Sequence, residues 1–97
     1  MPGEDIELRR RRAAYRASHR GTKEMDWLLG RYAAAILPGL EGEQLDRFER
    51  LLSLPDPDLH QWILDPDTLG PSEFSDLIVD LRRFHDLEQR PQDAGSI

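Results

Sequence analysis

A chain of 97 residues with 38% hydrophobic and 33% charged side chains suits one compact domain and is too apolar for a wholly disordered chain, and at this length only about two-thirds of the unfolded surface can be buried. It has no cysteine, which excludes disulfides, thiolate catalysis and cysteine metal sites together and suits a reducing interior. The net charge of −6 is polarised: residues 1–31 hold eight basic and five acidic groups, residues 32–97 five basic and fourteen acidic ones, so a basic front precedes an acidic back.

The start, Met1-Pro2-Gly3-Glu4-Asp5, lacks the basic-then-apolar order of a signal peptide and is too acidic for a mitochondrial presequence. From Ile6 to Ser18 the pattern is helical but weak, because Ala13, Ala14 and Ala17 supply propensity and little burial. Arg9 to Arg12 cover a full turn there, and their stems are expected to lie along apolar neighbours while the heads reach water. A stronger helix runs from Lys23 to about Leu37, with Met25, Leu28, Leu29, Tyr32, Ala33 and Ile36 on one stripe. Pro38-Gly39 ends it.

Glu43 to Ser53 is a third helix with an edge of Leu45, Phe48, Leu51 and Leu52. Asp56-Pro57-Asp58 is a helix start, read as a capping carboxylate followed by proline at the first helical position. The short helix it opens carries Leu59, Trp62 and Ile63 inward until Asp65-Pro66-Asp67. Gly70-Pro71-Ser72-Glu73 opens the last helix, whose stripe is Phe74, Leu77, Ile78, Leu81 and Phe84. Pro91 to Ile97 reads as a frayed tail. No alternation of period two survives over a useful length, and no window reaches the roughly 18 apolar residues of a membrane span. The expected fold is an all-α, single five-helix bundle, ordered over about 6–88.

Chemistry is sparse. His19, His60 and His85 have no second ligand at helical spacing, the paired aspartates flank prolines, and the serines sit in no nucleophile elbow. There is no glycine-rich phosphate loop, and a bundle this small is expected to lack a cavity of the usual ~300 Å³ or more. An enzyme is not expected. The unusual stretch is His19-Arg20-Gly21-Thr22-Lys23-Glu24-Met25-Asp26, where one helix stops at a glycine and a longer one starts. If that turn is helical, Arg20 and Glu24 share a face with Gly21 between them, as an exposed ion pair worth at most ~1 kcal/mol. Glycine there permits positive φ or close approach of another backbone. Trp27 leaves the apolar stripe and falls in line with Arg20, Glu24 and Arg31, as a half-exposed anchor.

The run Arg20-Gly21-Thr22-Lys23-Glu24-Met25-Asp26 resembles the R-G-x-x-E-[LM]-D signature of the succinate dehydrogenase assembly factor family, the SdhE-type flavinylation factors. Phe48-Glu49-Arg50-Leu51-Leu52, leading to Asp56-Pro57-Asp58-Leu59-His60-Gln61-Trp62-Ile63, is similar to that family's F-x-x-L-L…D-x-D-L-x-x-W-[LI] segment. The likeness covers about residues 9–87. It implies a bundle that binds the flavoprotein subunit of succinate dehydrogenase, or of fumarate reductase, and promotes covalent attachment of FAD to a histidine there. FAD then belongs to the partner, and no cofactor is held by this chain. Arg20, Gly21 and Glu24 map onto the partner surface, with Asp26 and Trp27 beside them.

With that resemblance the expectations are a free monomer, no nucleic-acid or membrane partner, and a bacterial cytoplasm in preference to the mitochondrial matrix. The rival reading is a small helical adaptor or nucleic-acid-associated module using the basic N-terminal face.

Overall fold

The computed structural model describes residues 5–87, and among them all regular structure is helical. The expected frayed tail lies outside the described residues, as do residues 1–4. Five helices follow one another: α1 (Ile6–Ser18), α2 (Lys23–Ile36), α3 (Gly42–Leu52), α4 (Asp56–Leu64) and α5 (Ser75–Phe84). Short 3₁₀ turns at Leu37–Gly39 and Pro66–Thr68 close α2 and α4, where prolines stop each helix as read from the sequence.

The core is built on α2. Met25, Leu28, Leu29, Tyr32 and Ala33 are buried along its stripe, and each large side chain contributes about 1.5–3 kcal/mol by leaving water. Ala13 and Ala17 of α1 are buried against it, so the weak apolar content of α1 is compensated by closeness. Gly30 sets that closeness: a Cβ there would stand 3.1 Å from Ser18 Cβ and 3.3 Å from Ser18 Cα. α3 adds Leu45, Phe48, Leu51 and Leu52, α4 adds Leu59 and Ile63, and α5 adds Ile78 and Leu81.

Two arginines of the α1 run serve the fold. Arg9 reaches across to α3, with Nη2 at 2.7 Å from both Asp46 Oδ1 and Glu49 Oε1. These carboxylates raise its pKa above the ordinary arginine value, chiefly by accepting its hydrogen bonds, Glu49 first and then Asp46. Arg10 Nε donates to the Leu40 carbonyl at 3.0 Å. The heads of both are thus held by protein and not only by water.

Other expectations need adjustment. α5 begins at Ser75, because Ser72 and Ser75 hold a turn ahead of it: Ser72 Oγ accepts from the Phe74 amide and Ser75 Oγ from the Ser72 amide. Trp62 is half-buried, and Phe84 is 46% exposed, its ring 5.8 Å from Tyr32. The hydroxyl of Tyr32 donates to Asp80 Oδ2 at 2.7 Å, and burial followed by this bond pushes the phenol above its ordinary pKa. The expectation of no sizeable cavity fails. α2, α3 and α5 splay around an open groove of about 510 Å³, whose polar lining includes Arg47, Asp76, Asp80 and Arg83.

Candidate functional site

Residues 19–22 cross from α1 to α2 without a helical turn. Thr22 is the N-cap of α2, extended at φ −134° and ψ 159°, and its Oγ1 accepts from the Met25 amide at 3.1 Å. Arg20 therefore lies outside α2, and the i, i+4 relation to Glu24 that a continuous helix would impose does not exist.

Arg20 turns inward instead, its side chain only 9% exposed. Nε donates to Asp56 Oδ1 at 2.7 Å, Nη1 to the Leu52 carbonyl at 2.7 Å and Nη2 to the Leu54 carbonyl at 3.0 Å. The guanidinium thus fills the gap between the C-terminal end of α3 and the first turn of α4. A cation satisfies free carbonyls at the first and a carboxylate suits the second. The expected exposed Arg20–Glu24 pair is replaced by this largely buried one.

Asp56 completes the corner. Pro55 is the N-cap of α4 and makes no side-chain capping bond, so the Asp56 carboxylate is free to leave its own helix. Its Oδ2 accepts from the Gly21 amide at 2.7 Å. The capping role expected of Asp56 is corrected accordingly. Burial works to raise the Asp56 pKa, but the Gly21 N–H, then the hydrogen bond and charge of Arg20, together hold it below its ordinary value.

Gly21 does not adopt positive φ. Its requirement is close approach, but by a carboxylate of the same chain: a Cβ would meet Asp56 Oδ2 at 3.1 Å. The outer side of Gly21 is exposed. Asp26, half-buried in the first turn of α2, accepts through Oδ1 from the Arg20 amide. Arg20, Asp26 and Asp56 are thus the frame of the corner, while Gly21, Thr22, Lys23 and Glu24 form its outer surface.

Glu24 is 58% exposed, with Oε1 at 3.2 Å from Nε2 of His60 on α4. That contact is an ion pair only when the imidazole is protonated. Sequence reasoning missed both His60 and Asp56 as members of the corner; the Asp-Pro-Asp run was the available signal, and it was absorbed by the capping interpretation.

Trp27 is half exposed, at 48%, as expected. It is not grouped with Arg20 and Glu24, which turn toward α4. It lines a shallow depression of about 400 Å³ with Ser18, Lys23, Asp26, Gly30 and Arg31. Its ring lies 4.5 Å from that of His85, tilted by 43°. His85 Nε2 stands 2.7 Å from the Leu28 carbonyl; a carbonyl only accepts, so Nε2 carries the hydrogen. The chain reverses just beyond, where Asp86 has φ 60° and the Leu87 amide bonds back to the Arg82 carbonyl at 2.7 Å, a Schellman-type closure that fixes His85 against Trp27.

Residues 11–85 match the model of a family described as flavinator of succinate dehydrogenase. Over 60 residues, 62% of the chain, it is 42% identical to "Succinate dehydrogenase assembly factor 2, mitochondrial" of Debaryomyces hansenii and 40% identical to "FAD assembly factor SdhE" of Acetobacter pasteurianus. Over 81 residues, 84% of the chain, it is 36% identical to the mitochondrial assembly factor 2 of Dictyostelium discoideum. The matched stretches cover 42%, 55% and 57% of those three proteins, so the chain spans about half the length of the relatives it matches. No solved structure matches it.

The expected bacterial cytoplasm does not stand, because the Debaryomyces, Yarrowia lipolytica and Dictyostelium relatives are named as mitochondrial proteins. Among the described residues no helix is long and apolar enough to cross a membrane. With its match over residues 11–85, the chain belongs to the family of flavinators of succinate dehydrogenase.

Proposed function

We propose that this chain binds the flavoprotein subunit of succinate dehydrogenase, or of the related fumarate reductase, and promotes covalent attachment of FAD to it without being the catalyst. Family membership supports the assembly role. The observation that carries the site is the corner in which Arg20 and Asp56 lock the Gly21 amide in place, leaving the Gly21 backbone and the Glu24 carboxylate outward on a rigid frame.

The frame performs positioning. An exposed backbone held in place beside an outward carboxylate engages a partner through main-chain and charge-assisted hydrogen bonds at reduced ordering cost, because the backbone is ordered before binding. Such a surface holds two parts of a partner in one relative orientation, and the flavin attachment then uses the partner's own groups in a favourable geometry. FAD on this reading belongs to the partner and is not held by this chain. Trp27, one turn beyond Glu24 along α2, and Arg31, a further turn on, extend the contact with an apolar anchor and a cation.

Glu24→Ala tests the reading. Glu24 is exposed and outside the frame, so the variant retains its melting temperature, while covalent flavin on the co-expressed subunit, read as fluorescence of the denatured band, falls sharply. Unchanged flavin incorporation would place the working surface elsewhere on the bundle.

A further inference from the structure

One face of α4 holds the loop between α1 and α2 at two places. Asp56 and His60 are four residues apart on that helix, so their side chains leave the same side of it. Asp56 takes the Arg20 guanidinium and the Gly21 amide. One turn further along α4, Nε2 of His60 stands 3.2 Å from Glu24 Oε1. The two α4 side chains thus bracket the run from Arg20 to Glu24, Asp56 at its start and His60 at its end.

The His60 side chain is 36% exposed, but its Nε2 is itself closed to solvent and makes no hydrogen bond among the described residues. A polar nitrogen shut away from water without a partner is unfavourable, and such atoms call for an explanation. Here the distance to Glu24 already suits a bond, and only the alignment is missing. Glu24 sits on an exposed side chain in the first turn of α2, so a small rotation of its carboxylate completes the contact.

We propose that His60 is a positioning residue for the corner: through Nε2 it steers one oxygen of Glu24 and leaves the other to the partner, beside the Gly21 backbone. The inference rests on the function proposed above and adds the residue that sets the geometry of Glu24. The hold needs a hydrogen on Nε2, because a lone pair there repels the carboxylate, and it is strongest when the imidazole is charged. The other charges around α4 are engaged elsewhere or turned to water. Asp56, on the same face, is bound to Arg20, which also serves the Leu52 and Leu54 carbonyls. From α5, Arg82 donates to the Ile63 and Leu87 carbonyls. Lys23 on α2, Asp58 on α4 and Asp65 and Asp67 beyond it are exposed. Among the described residues Glu24 is the charged group in contact with the imidazole, and through it a proton on His60 is felt at the partner surface.

The test joins a measurement on the free chain to one on the complex. In the free chain, the Glu24 side-chain carboxyl carbon, followed by NMR from about pH 8 to about pH 6, should shift in step with the His60 imidazole, and that step should vanish in His60→Gln. Calorimetric titration of the full chain against the purified flavoprotein subunit is then run at both ends of this range. From the higher to the lower pH the unaltered chain is expected to gain about 3–5-fold in affinity relative to His60→Gln. His19, His85 and the subunit's own groups are common to the two titrations and cancel in the ratio. His60→Gln keeps a donor without charge and should stay within about 2-fold of the unaltered chain at the higher pH, whereas His60→Leu, which removes the donor, should lose about 3–5-fold there. Circular dichroism should show the helices intact in both. A Glu24 resonance indifferent to His60 overturns the inference, as does an affinity ratio that stays flat or falls toward the lower pH. Binding lost in Glu24→Ala but unchanged in both His60 variants removes His60 and leaves the corner standing. Binding retained in Glu24→Ala, or absent in the unaltered chain, overturns the proposed function and the partner half of this inference with it.

Discussion

The corner at Gly21 and the edge at Trp27 lie within two turns of each other and solve opposite problems. At the corner nearly every polar group is consumed inside the chain: one guanidinium satisfies a carboxylate and two carbonyls, and that carboxylate also takes a backbone amide. At the edge an indole is left half in water, supported on one side by a histidine ring. The corner invests its inward residues in rigidity and exposes the Gly21 backbone beside the Glu24 carboxylate, while the edge exposes adhesive area on a single support. A docking surface needs both, and this molecule separates them into different side chains.

Breaking the frame should have the largest effect. Arg20→Ala leaves Asp56 without its counter-ion and two carbonyls without donors in a largely buried setting, and is expected to cost ~2–4 kcal/mol, read as a shift in the urea midpoint. A loss under ~1 kcal/mol would return Arg20 to the class of exposed pairs. Flavin attachment should fall in this variant through the frame, so stability and function fall together, in contrast to Glu24→Ala, where they separate.

Next comes acid. The Asp56 carboxyl is held below its ordinary value of 3.8, so its contribution is complete above that value and is lost as pH falls through it toward the lower folded pKa. Urea midpoints measured from neutral pH downward should therefore drop below about pH 4. Asp56→Asn starts lower and gives a flatter acid limb. Part of the limb persists in the variant, since Glu73 is also held low, first by its hydrogen bond from Arg50. An unchanged acid limb in Asp56→Asn would show that the corner carboxylate is not linked to folding.

The smallest effect sharpens the other half of the comparison. Trp27→Ala is expected to cost only about 1 kcal/mol, the scale of one aromatic pair with partial burial. In a Trp62→Phe background the Trp27 emission should be quenched readily by a soluble quencher and protected when the flavoprotein is added. Weak quenching of the free chain would place the indole in the fold's interior contacts.

Much of the fold was legible because periodicity is local. The stripe of α2 and the edge of α3 are buried as their spacing requires, and prolines stop α2 and α4 where they occur in the sequence. The corner was legible as a place but not as a mechanism. Arg20 and Glu24 are four apart, which invites a helical pairing, but Thr22 caps α2 and puts Arg20 before the helix begins. Its true partner is 36 residues away, and spacing carries no information across that distance. The capping expected of Asp56 fails for a related reason: Pro55 occupies the N-cap, and one residue of offset sends the carboxylate out of its own helix to the joint between α1 and α2. His85 meets Trp27 from the C-terminal end of α5, far along the chain, a contact that no periodic pattern announces.

The two stretches that carry the family likeness, the Arg20–Asp26 run and the Asp56-Pro57-Asp58 run, meet at a single carboxylate with one oxygen on Arg20 and the other on Gly21. They are two halves of one clasp. A lineage that replaces the aspartate gains nothing by keeping the arginine, because an unpaired guanidinium between two helix ends is worse than a smaller neutral residue; a lineage that enlarges the glycine must first move the carboxylate. Change at this corner is therefore coordinated change, and a graft of the signature loop onto another helical hairpin transfers its letters without its shape unless the start of α4 travels with it.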